Sequence, residues 1–423
     1  MSENSSEFGS PAARIAPDSA LAPFRWPVFR NIWFANLASA MGSMIQMIAA
    51  AWLMTELTDS HLLVAMVQAS VTIPVLTFGI FAGVIADNYD RRKVMLTANV
   101  GMLLFAAMLT ALAVADAIQP YSLLALTLII GGGFALNGPA WQASVRLMVP
   151  PPDLPQAISL NTIAYNLARS LGPAIGGVIL AAWGPEYAFG VNALSYAVMV
   201  AVLIRWNARP TGRPDKHRLF PAIGKAVSYV AASSALRRVL MRSLAFGFGS
   251  ISFQALLPLV AREQLDGSET TFGMLFGAFG VGSVMIAIWV ARARRRYGPE
   301  AIVTAAMAVS AMAIVTLAYA PNVPLAMISC FAAGCGHVAT LTSLNVSMQL
   351  RSPDEILGRC LSIFQATIFG GMALGAGAWG VISDVAGLVT ALTWSGLFLI
   401  AALIVLRAFA PMPKIGEGIP PAV

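Results

Sequence analysis

The stretch GVIADNYDRRK, residues 83–93, separates two long apolar runs at about 61–86 and 94–116. Each run is long enough to cross ~30 Å of hydrocarbon as a helix rising ~1.5 Å per residue. A turn with acidic residues followed by three basic residues, placed between two such runs, is typical of a loop that joins membrane-spanning helices. The stretch therefore predicts a chain that crosses a membrane more than once.

Long apolar runs recur along the whole chain. Of its 423 residues, 58% are hydrophobic and only 11% are charged, whereas soluble proteins average ~25% charged residues. We predict an all-α membrane protein with twelve transmembrane helices in two six-helix bundles. The predicted helices fall at about 32–54, 61–86, 94–116, 121–147, 156–183, 187–206, 243–262, 270–291, 300–320, 323–349, 357–384 and 387–409.

Polar segments divide the chain between and around these runs. The predicted divisions are a cytoplasmic N-terminal tail at 1–28, a first bundle at 29–206, a cytoplasmic linker at 207–242, a second bundle at 243–409 and a cytoplasmic tail at 410–423. The Ser/Pro-rich N-terminal tail lacks the layout of a cleavable signal peptide. In the linker, Ile223, Val227 and Val230 recur on one helical face, which predicts an amphipathic surface helix extending to Arg242.

The basic residues predict the orientation of the chain. All of the 26 lysines and arginines except Arg169 and Arg262 lie in the tails, the linker and alternate loops, or at the helix ends beside them. By the positive-inside rule, these regions face the cytoplasm, and we expect both termini on the inner side of a bacterial inner membrane. Because the basic residues are spread over many short loops, the net charge of +7 does not indicate nucleic-acid binding.

The two halves of the chain are related by an internal repeat. Residues 143–184 align without gaps with residues 346–387, an offset of 346 − 143 = 203. The identities include Gly172 with Gly375, Gly177 with Gly380 and Gly184 with Gly387. The same offset places the basic triplet at 91–93 on a second basic triplet at 294–296. Two parallel six-helix repeats are the architecture of the major facilitator superfamily.

The stretch at 83–93 resembles the motif between the second and third helices of that superfamily: Gly, three residues, Asp and a basic cluster. The resemblance implies a conformational gating role for Gly83, Asp87, Arg91, Arg92 and Lys93. We expect Asp87 to face the positive N-terminus of the eleventh helix, near residues 355–359, in one conformation only. Asp90 replaces the usual glycine of the motif, and Asn88 replaces a basic residue. The alternative is that the basic triplet only sets topology.

The fifth predicted helix carries GPAIGG at 172–177, which resembles the antiporter motif of exporting major facilitators. The resemblance implies a conformational role for Gly172, Pro173, Gly176 and Gly177, and ordinary small-residue packing is the alternative. The longer run from Pro139 to Gly177, together with the linker helix, resembles the enterobactin-exporter-like branch of the superfamily. That branch implies export of small molecules such as siderophores or drugs.

Two ionisable residues are placed near the middle of the membrane. Arg169 in the fifth helix costs ~2.5–3.5 kcal/mol at that depth, so its side chain must face protein or water. It is either an anion contact for substrate, a charge that modulates a proton site, or a structural residue. His337 in the tenth helix is the only histidine at membrane depth. It either carries the coupling proton, because imidazole titrates near neutral pH, or is a satisfied polar residue.

In the superfamily, the first, fourth, seventh and tenth helices line the substrate cavity. The candidate cavity residues are Gln46, Asn137, Trp141, Arg169, Phe253, Gln254, His337 and Asn345. Amides and aromatic rings suit an amphipathic organic substrate, and interhelical hydrogen bonding is the alternative for each residue. Since no Asp or Glu lies near mid-membrane, the candidates for proton coupling are Asp87, Asp116 and His337.

These features together predict secondary active export of a small amphipathic molecule by alternating access, coupled to protons. Uptake, lysolipid movement between leaflets and a non-transporting receptor are the alternatives. An intramembrane enzyme would need clustered His, Asp or Glu at membrane depth, and ATP hydrolysis would need a P-loop; the sequence has neither. No metal site or other cofactor is expected, and the three cysteines form no ligand set. The expected partners are a small-molecule substrate, protons and the bilayer, with the chain a monomer.

Overall fold

The computed structural model describes residues 19–206, 219–353, 356–413 and 417, and all of the long elements in these ranges are helices. The α-helices are α1 Pro27–Leu57, α2 His61–Asn88, α3 Arg91–Val114, α4 Pro120–Ser144, α5 Leu154–Trp183, α6 Pro185–Arg205, α7 Leu219–Ala232, α8 Ser234–Leu259, α9 Glu269–Ala318, α10 Val323–Gln349, α11 Leu357–Ala386 and α12 Leu388–Phe409. Short 3₁₀ turns occupy Ala22–Arg25, Val145–Leu147 and Pro151–Asp153, and a π-helical turn at Val260–Gln264 follows α8.

Helix α9 contributes two of the twelve predicted spans. It breaks at Gly298, whose φ of 81° and ψ of 162° are not helical. Gly334 of α10 contacts the first arm at Phe279, and Gly336 contacts the second arm at Ser310. The two arms, 269–297 and 299–318, therefore both pack along α10. Eleven helices in the described ranges are long and apolar enough to cross a membrane, and with α9 counted as two spans, the predicted twelve-helix fold is confirmed.

Two glycines of the repeat form equivalent turns between neighbouring helices. Gly184 joins α5 to α6 with φ of 96°, and Gly387 joins α11 to α12 with φ of 88°. Side chains other than glycine rarely adopt such a backbone conformation. The identity of Gly184 and Gly387 in the internal repeat is therefore explained by a backbone requirement at both turns.

The linker differs in detail from the prediction. The amphipathic helix expected to extend to Arg242 is divided at Ser233, whose side chain caps α8 by accepting the Leu236 N–H at 3.4 Å. Arg242 belongs to α8 and is fully buried. Its guanidinium donates to the carbonyl oxygens of Leu406 at 3.2 Å and Ala410 at 2.9 Å, at the end of α12. Residues 234–242 are therefore the first turns of α8 and not part of a separate surface helix.

The halves meet along two pairs of helices, α2 with α11 and α5 with the first arm of α9. The bundle has two ends, which we name for later use. The linker end is the end at which α7 lies and at which α1 starts. The far end is the opposite one. Leu62, near the far end of α2, lies against Gly380, and Leu76, near its middle, lies against Gly370. The halves are therefore in contact from the far end to the middle of the helices.

Candidate functional site

A cluster of aromatic and basic side chains lies where the halves meet at mid-helix. It consists of Arg169 from α5, Phe279 from α9, His337 from α10, and Phe246 and Phe253 from α8, and we call it the central cluster. The Arg169 Cζ atom lies 5.4 Å from the centroid of the Phe279 ring. The His337 ring lies 5.6 Å from both the Phe279 and the Phe246 rings, and Phe253 stacks on Phe279 at 5.1 Å. The structure therefore brings together three predicted cavity residues, Arg169, Phe253 and His337.

The charge of Arg169 has no partner within the described part of the chain. Its side chain makes no ion pair or hydrogen bond there, and the acidic residues that are described lie at helix ends. A cation–π contact such as the one with Phe279 contributes ~0.5–2 kcal/mol, which offsets only part of the cost of an arginine at mid-membrane. The described structure therefore shows no protein acceptor for the guanidinium donors of Arg169.

Several small polar side chains of the second half are buried near the level of His337 without a protein partner. His337 itself is 3% exposed and is packed between two phenylalanine rings. The described side-chain atoms without a hydrogen bond include those of Ser250, Gln254, Ser310, Thr340 and Ser343. Buried polar atoms normally bind protein or ordered water. Only Gln254 of this set was predicted from the sequence, since single Ser and Thr residues in apolar helices carry little signal.

Three predicted cavity residues of the first half bind to or pack against other residues of that half. Gln46 is 4% exposed, and its Oε1 atom accepts a hydrogen bond from Asn192 of α6 at 2.6 Å. Asn137 accepts one from Asn99 of α3 at 3.0 Å. Trp141 is 9% exposed and packs among the apolar residues at the linker end of the first half. Their contact with substrate stays a prediction, and the geometry favours the alternative of interhelical bonding for the two amides.

Two further candidates lie away from the central cluster. Asn345 of α10 accepts a hydrogen bond from Gln349, one turn closer to the linker end. Asp116 is exposed in the turn after α3, at the far end, with φ of 50°. It lines a surface groove of about 660 Å³ between α3 and α6 with Glu186 and Tyr187. The structure does not bring Asp116 to the interface between the halves.

The predicted gating motif is at the linker end of α2 and the start of α3. Gly83 and Asp87 lie in the last turns of α2, and the surroundings of the Asp87 side chain fall outside the described part of the structure. Arg91 donates to the Ala143 carbonyl at the end of α4 at 3.0 Å. Arg92 donates to the carbonyls of Leu203 and Ile204 at the end of α6, both at 2.8 Å. The two arginines of the basic triplet thus supply donors to helix C-termini of their own half.

Asp90, which departs from the family motif, has a local structural role. Its carboxylate accepts a hydrogen bond from the backbone N–H of Lys93 at 3.2 Å. Asp90 is therefore the N-cap of α3, a position at which aspartate satisfies a free backbone donor and the positive end of the helix dipole. The start of α3 is fixed by this side chain instead of by the glycine that is usual in the family.

The antiporter-like motif in α5 faces two different neighbours. A methyl group on Gly172 would lie 2.6 Å from Met44 Cβ, and one on Gly176 would lie 3.1 Å from Ile45 Cα. Both contacts are with α1 of the same half. Pro173 is buried beside them. Gly177, in contrast, faces the other half, where a methyl group on it would lie 2.7 Å from Gly273 Cα.

Small residues line the closest approach of α5 to the first arm of α9, which we call the α5–α9 crossing. Ser170 donates to the Gly280 carbonyl at 2.9 Å, and Gly277 lies against Ala174. Small residues three and four positions apart allow helix backbones to approach closely. The run Gly273, Gly277 and Gly280 has this spacing in the sequence, but its pairing with α5 was not predicted because spacing alone does not indicate which helix packs against it.

A second interface feature, which the sequence analysis also missed, closes the far end. We call it the far-end clasp, and it joins α2 of the first half to α11 and the π-helical turn of the second half. The Asp384 carboxylate accepts hydrogen bonds from the backbone N–H groups of His61 at 2.5 Å and Leu62 at 3.2 Å. The His61 ring lies 2.7 Å from Ser383 Oγ and 3.1 Å from Glu263 Oε1.

Comparison with known proteins places this geometry among transporters. A family model described as a transmembrane secretion effector matches residues 18–419. The multidrug efflux pump Tap of Mycolicibacterium fortuitum is 24% identical over 368 residues, covering 84% of this chain and 89% of that protein. The enterobactin exporter EntS of Salmonella typhimurium is 24% identical over 410 residues, covering 93% and 96%. A solved bacterial homologue of the human lysosomal transporter Spinster has a TM-score of 0.75 at 13% identity, covering 95% and 99%.

Proposed function

Because the chain belongs to the transmembrane secretion effector family of major facilitator transporters, we propose that it exports a small amphipathic organic anion by alternating access. The observation that carries this proposal is Arg169, a cation at mid-membrane that has no ion pair in the described structure. Its guanidinium lies between the halves and beside aromatic rings of the central cluster. An anionic head with an aromatic or apolar body matches both parts of this surface.

The direction of transport is proposed from two observations. The antiporter-like motif places Gly172 and Gly176 on one face of α5 and Gly177 on the face toward the other half. Relatives that align with this chain over most of their length are named as a multidrug efflux pump and an enterobactin exporter. We therefore favour export from the cytoplasm over uptake, with both termini on the cytoplasmic side of the inner membrane.

The conformational cycle is proposed to use contacts at the two ends of the bundle. At the far end, the halves are held together by the far-end clasp and the α5–α9 crossing, so this conformation is closed on that side. At the linker end, Asp87 of α2 is proposed to face the N-terminus of α11 when the cytoplasmic side closes. Protons supply the driving force in this scheme.

Accumulation in everted membrane vesicles tests the proposed export. Vesicles with the wild-type chain and with Asp87→Asn would be given a panel of siderophores and amphipathic drugs of both charges. We expect accumulation of an anionic compound only under an imposed proton gradient, and slower accumulation with Asp87→Asn at equal protein levels. Vesicles without the chain, and vesicles treated with a protonophore, are the controls.

The other outcomes separate the alternatives. Anion accumulation that survives the protonophore would contradict proton coupling while keeping transport. Normal accumulation by Asp87→Asn would contradict its gating role. No accumulation of any compound, with folded protein present, would contradict export and lead to tests of uptake and of lysolipid movement between leaflets.

A further inference from the structure

We propose that the second basic triplet of the repeat, at 294–296, binds the head group of an anionic phospholipid together with Arg292. These arginines lie at the linker end of the first arm of α9, beside Trp289 and Tyr297. We call the four arginines and the two aromatic residues the arginine–aromatic cluster. The inference goes beyond the proposed function, and it holds for either direction of transport.

The two basic triplets of the repeat have different surroundings. In the first half, Arg91 and Arg92 donate to carbonyl oxygens at the ends of α4 and α6. The repeat places Arg295 on Arg92, since 295 − 92 = 203, but the corresponding end of α12 accepts from Arg242 instead. Among the residues that the structure describes, the side chains of the second triplet make no hydrogen bond or ion pair. Binding to helix C-termini therefore accounts for the first triplet and not for the second.

The acidic residue nearest to the cluster in sequence is bound elsewhere. The Glu300 carboxylate accepts from Arg242 at 3.0 Å, from Thr304 at 3.1 Å and from the Met412 N–H group. Four of the five residues at 292–296 are arginines, and like charges three or four positions apart on a helix repel each other. An anion bound between the guanidinium groups would remove a repulsion that Glu300 does not relieve.

The aromatic side chains indicate the depth of the cluster in the membrane. Trp289 and Tyr297 are each more than half exposed, and both residue types are enriched at the level of the lipid head groups. The Arg292 Cζ atom lies 5.4 Å from the centroid of the Trp289 ring, and the Arg296 Cζ atom lies 5.3 Å from that of Tyr297. These contacts leave the guanidinium N–H groups without an oxygen acceptor. A phosphate at head-group level could supply two acceptor oxygens to each guanidinium.

An apolar stripe leads from the cluster along the exposed face of α9. Val281, Met285 and Ile288 are all exposed, and their spacing of four and three residues continues to Arg292 and Arg295. The apolar part, at 281–288, is about 10 Å long, which fits within the ~15 Å of hydrocarbon in one leaflet. An acyl chain along this stripe would have its phosphate at the arginines. A phospholipid therefore matches the whole face, whereas a soluble anion would match only its basic end.

Lipid binding to the purified full-length chain tests the site. The chain in a neutral detergent would be titrated with phosphatidylglycerol or with phosphatidylcholine of the same acyl chains, and native mass spectrometry would count the bound lipids. We expect one phosphatidylglycerol site that is tighter than any phosphatidylcholine site by about ten-fold or more. The combined variant Arg292→Gln, Arg295→Gln and Arg296→Gln should weaken this site about ten- to hundred-fold, because one basic residue at a membrane surface contributes about five-fold.

A matched variant removes the same charge from the linker end of the first half. It combines Arg30→Gln, Arg146→Gln and Arg205→Gln, all at exposed positions, and it should keep the tight site. Equal weakening in the two triple variants would overturn the proposal, because it would reduce the effect to general attraction by net charge. Equal affinity of the wild-type chain for the two lipids would overturn it as well.

Fluorescence quenching locates the lipid without changing any charge. Phosphatidylglycerol brominated on its acyl chains should quench tryptophan emission more than brominated phosphatidylcholine, and Trp289→Phe should remove that difference. A difference that persists in Trp289→Phe would place the lipid elsewhere and overturn the site. Excess glycerol phosphate should not displace the brominated lipid, and displacement would overturn a phospholipid as the occupant. Since no transport is measured, these results and those of the vesicle assay can fail independently.

Discussion

At the scale of single residues, buried charges determine both structure and proposed function. Asp153 is 2% exposed and accepts from Arg25 at 2.9 Å and from Trp26 Nε1 at 2.7 Å. This contact fixes the segment before α1 to the start of α5. Arg242 is equally buried and has Glu300 and helix-terminal carbonyls as partners. Arg169 differs from both, because its described surroundings are aromatic and contain no acid.

A substitution at Arg169 should therefore change transport differently for anionic and for cationic compounds. Arg169→Ala is expected to lower the transport efficiency for anionic compounds by about ten- to hundred-fold, the range of one charge-assisted contact. Transport of cationic compounds should change much less. The measurement is the initial rate of accumulation in vesicles over a series of concentrations, for one anionic and one cationic compound of similar size.

Arg169→Lys is the matched variant for this experiment. Lysine keeps the charge but lacks the planar fork of donors, so it should restore only part of the anion transport. An equal loss of anionic and cationic transport in Arg169→Ala would assign Arg169 to holding α5 in place.

At the scale of helices, close packing of small residues controls how the halves approach each other. The α5–α9 crossing places backbone against backbone at Gly177 and Gly273, so there is no flexible side chain that can move aside. Gly172 and Gly176 in the same helix instead set the distance to α1. One helix thus carries separate glycines for packing within its half and between halves.

Gly177→Ala is expected to shift the protein toward a far-end-open form. The added methyl group would lie 2.7 Å from Gly273 Cα, and overpacking of this kind costs ~1–3 kcal/mol. The closed-to-open ratio should then fall by about five- to hundred-fold. Label distances across the far end measure the ratio.

Gly132→Ala in α4 serves as the control, because a methyl group there meets no atom within 4 Å. It should leave the distances unchanged. Distances in Gly177→Ala that match those of the wild type would mean that the crossing does not limit closure.

Helix bounds were largely predictable from the sequence, whereas contacts between the halves were not. The second span was predicted at 61–86 and is His61–Asn88, since hydropathy alone reports membrane crossing. The start of α8 at Ser234 was missed because Arg237, Arg238 and Arg242 lower its hydropathy. The contacts of His61 were not predicted, because its partners lie far along the chain. Glu263, for example, is 202 residues away. Such pairs depend on tertiary geometry, which periodicity does not encode.

At the scale of the whole molecule, the two ends of the bundle differ in charge. Basic side chains concentrate at the linker end, where Arg91, Arg92 and Arg242 donate to helix C-termini. Acidic side chains such as Asp116, Glu263 and Asp384 lie at the far end. This distribution supports the proposed orientation with the linker end in the cytoplasm.

Labelling with a membrane-impermeant maleimide tests that orientation. In a background without the native cysteines, Ala117→Cys in the turn after α3 should react in intact spheroplasts. Gly212→Cys in the linker should react only in everted vesicles. The reverse pattern would place the linker outside and would invert the proposed direction of transport.

The arginine contacts at the ends of α6 and α12 show how the two halves differ at equivalent positions. The Leu203 carbonyl accepts a hydrogen bond from Arg92, in the third helix of its half. The equivalent carbonyl is that of Leu406, since 406 − 203 = 203. It accepts a hydrogen bond from Arg242, in the first helix of its half. Since the two equivalent carbonyls accept from donors on different helices, the halves share this helix-end position but not the side chain that binds it. They are consequently not interchangeable modules, and a chimera made by exchanging single helices between them would lose one of these donors or duplicate it.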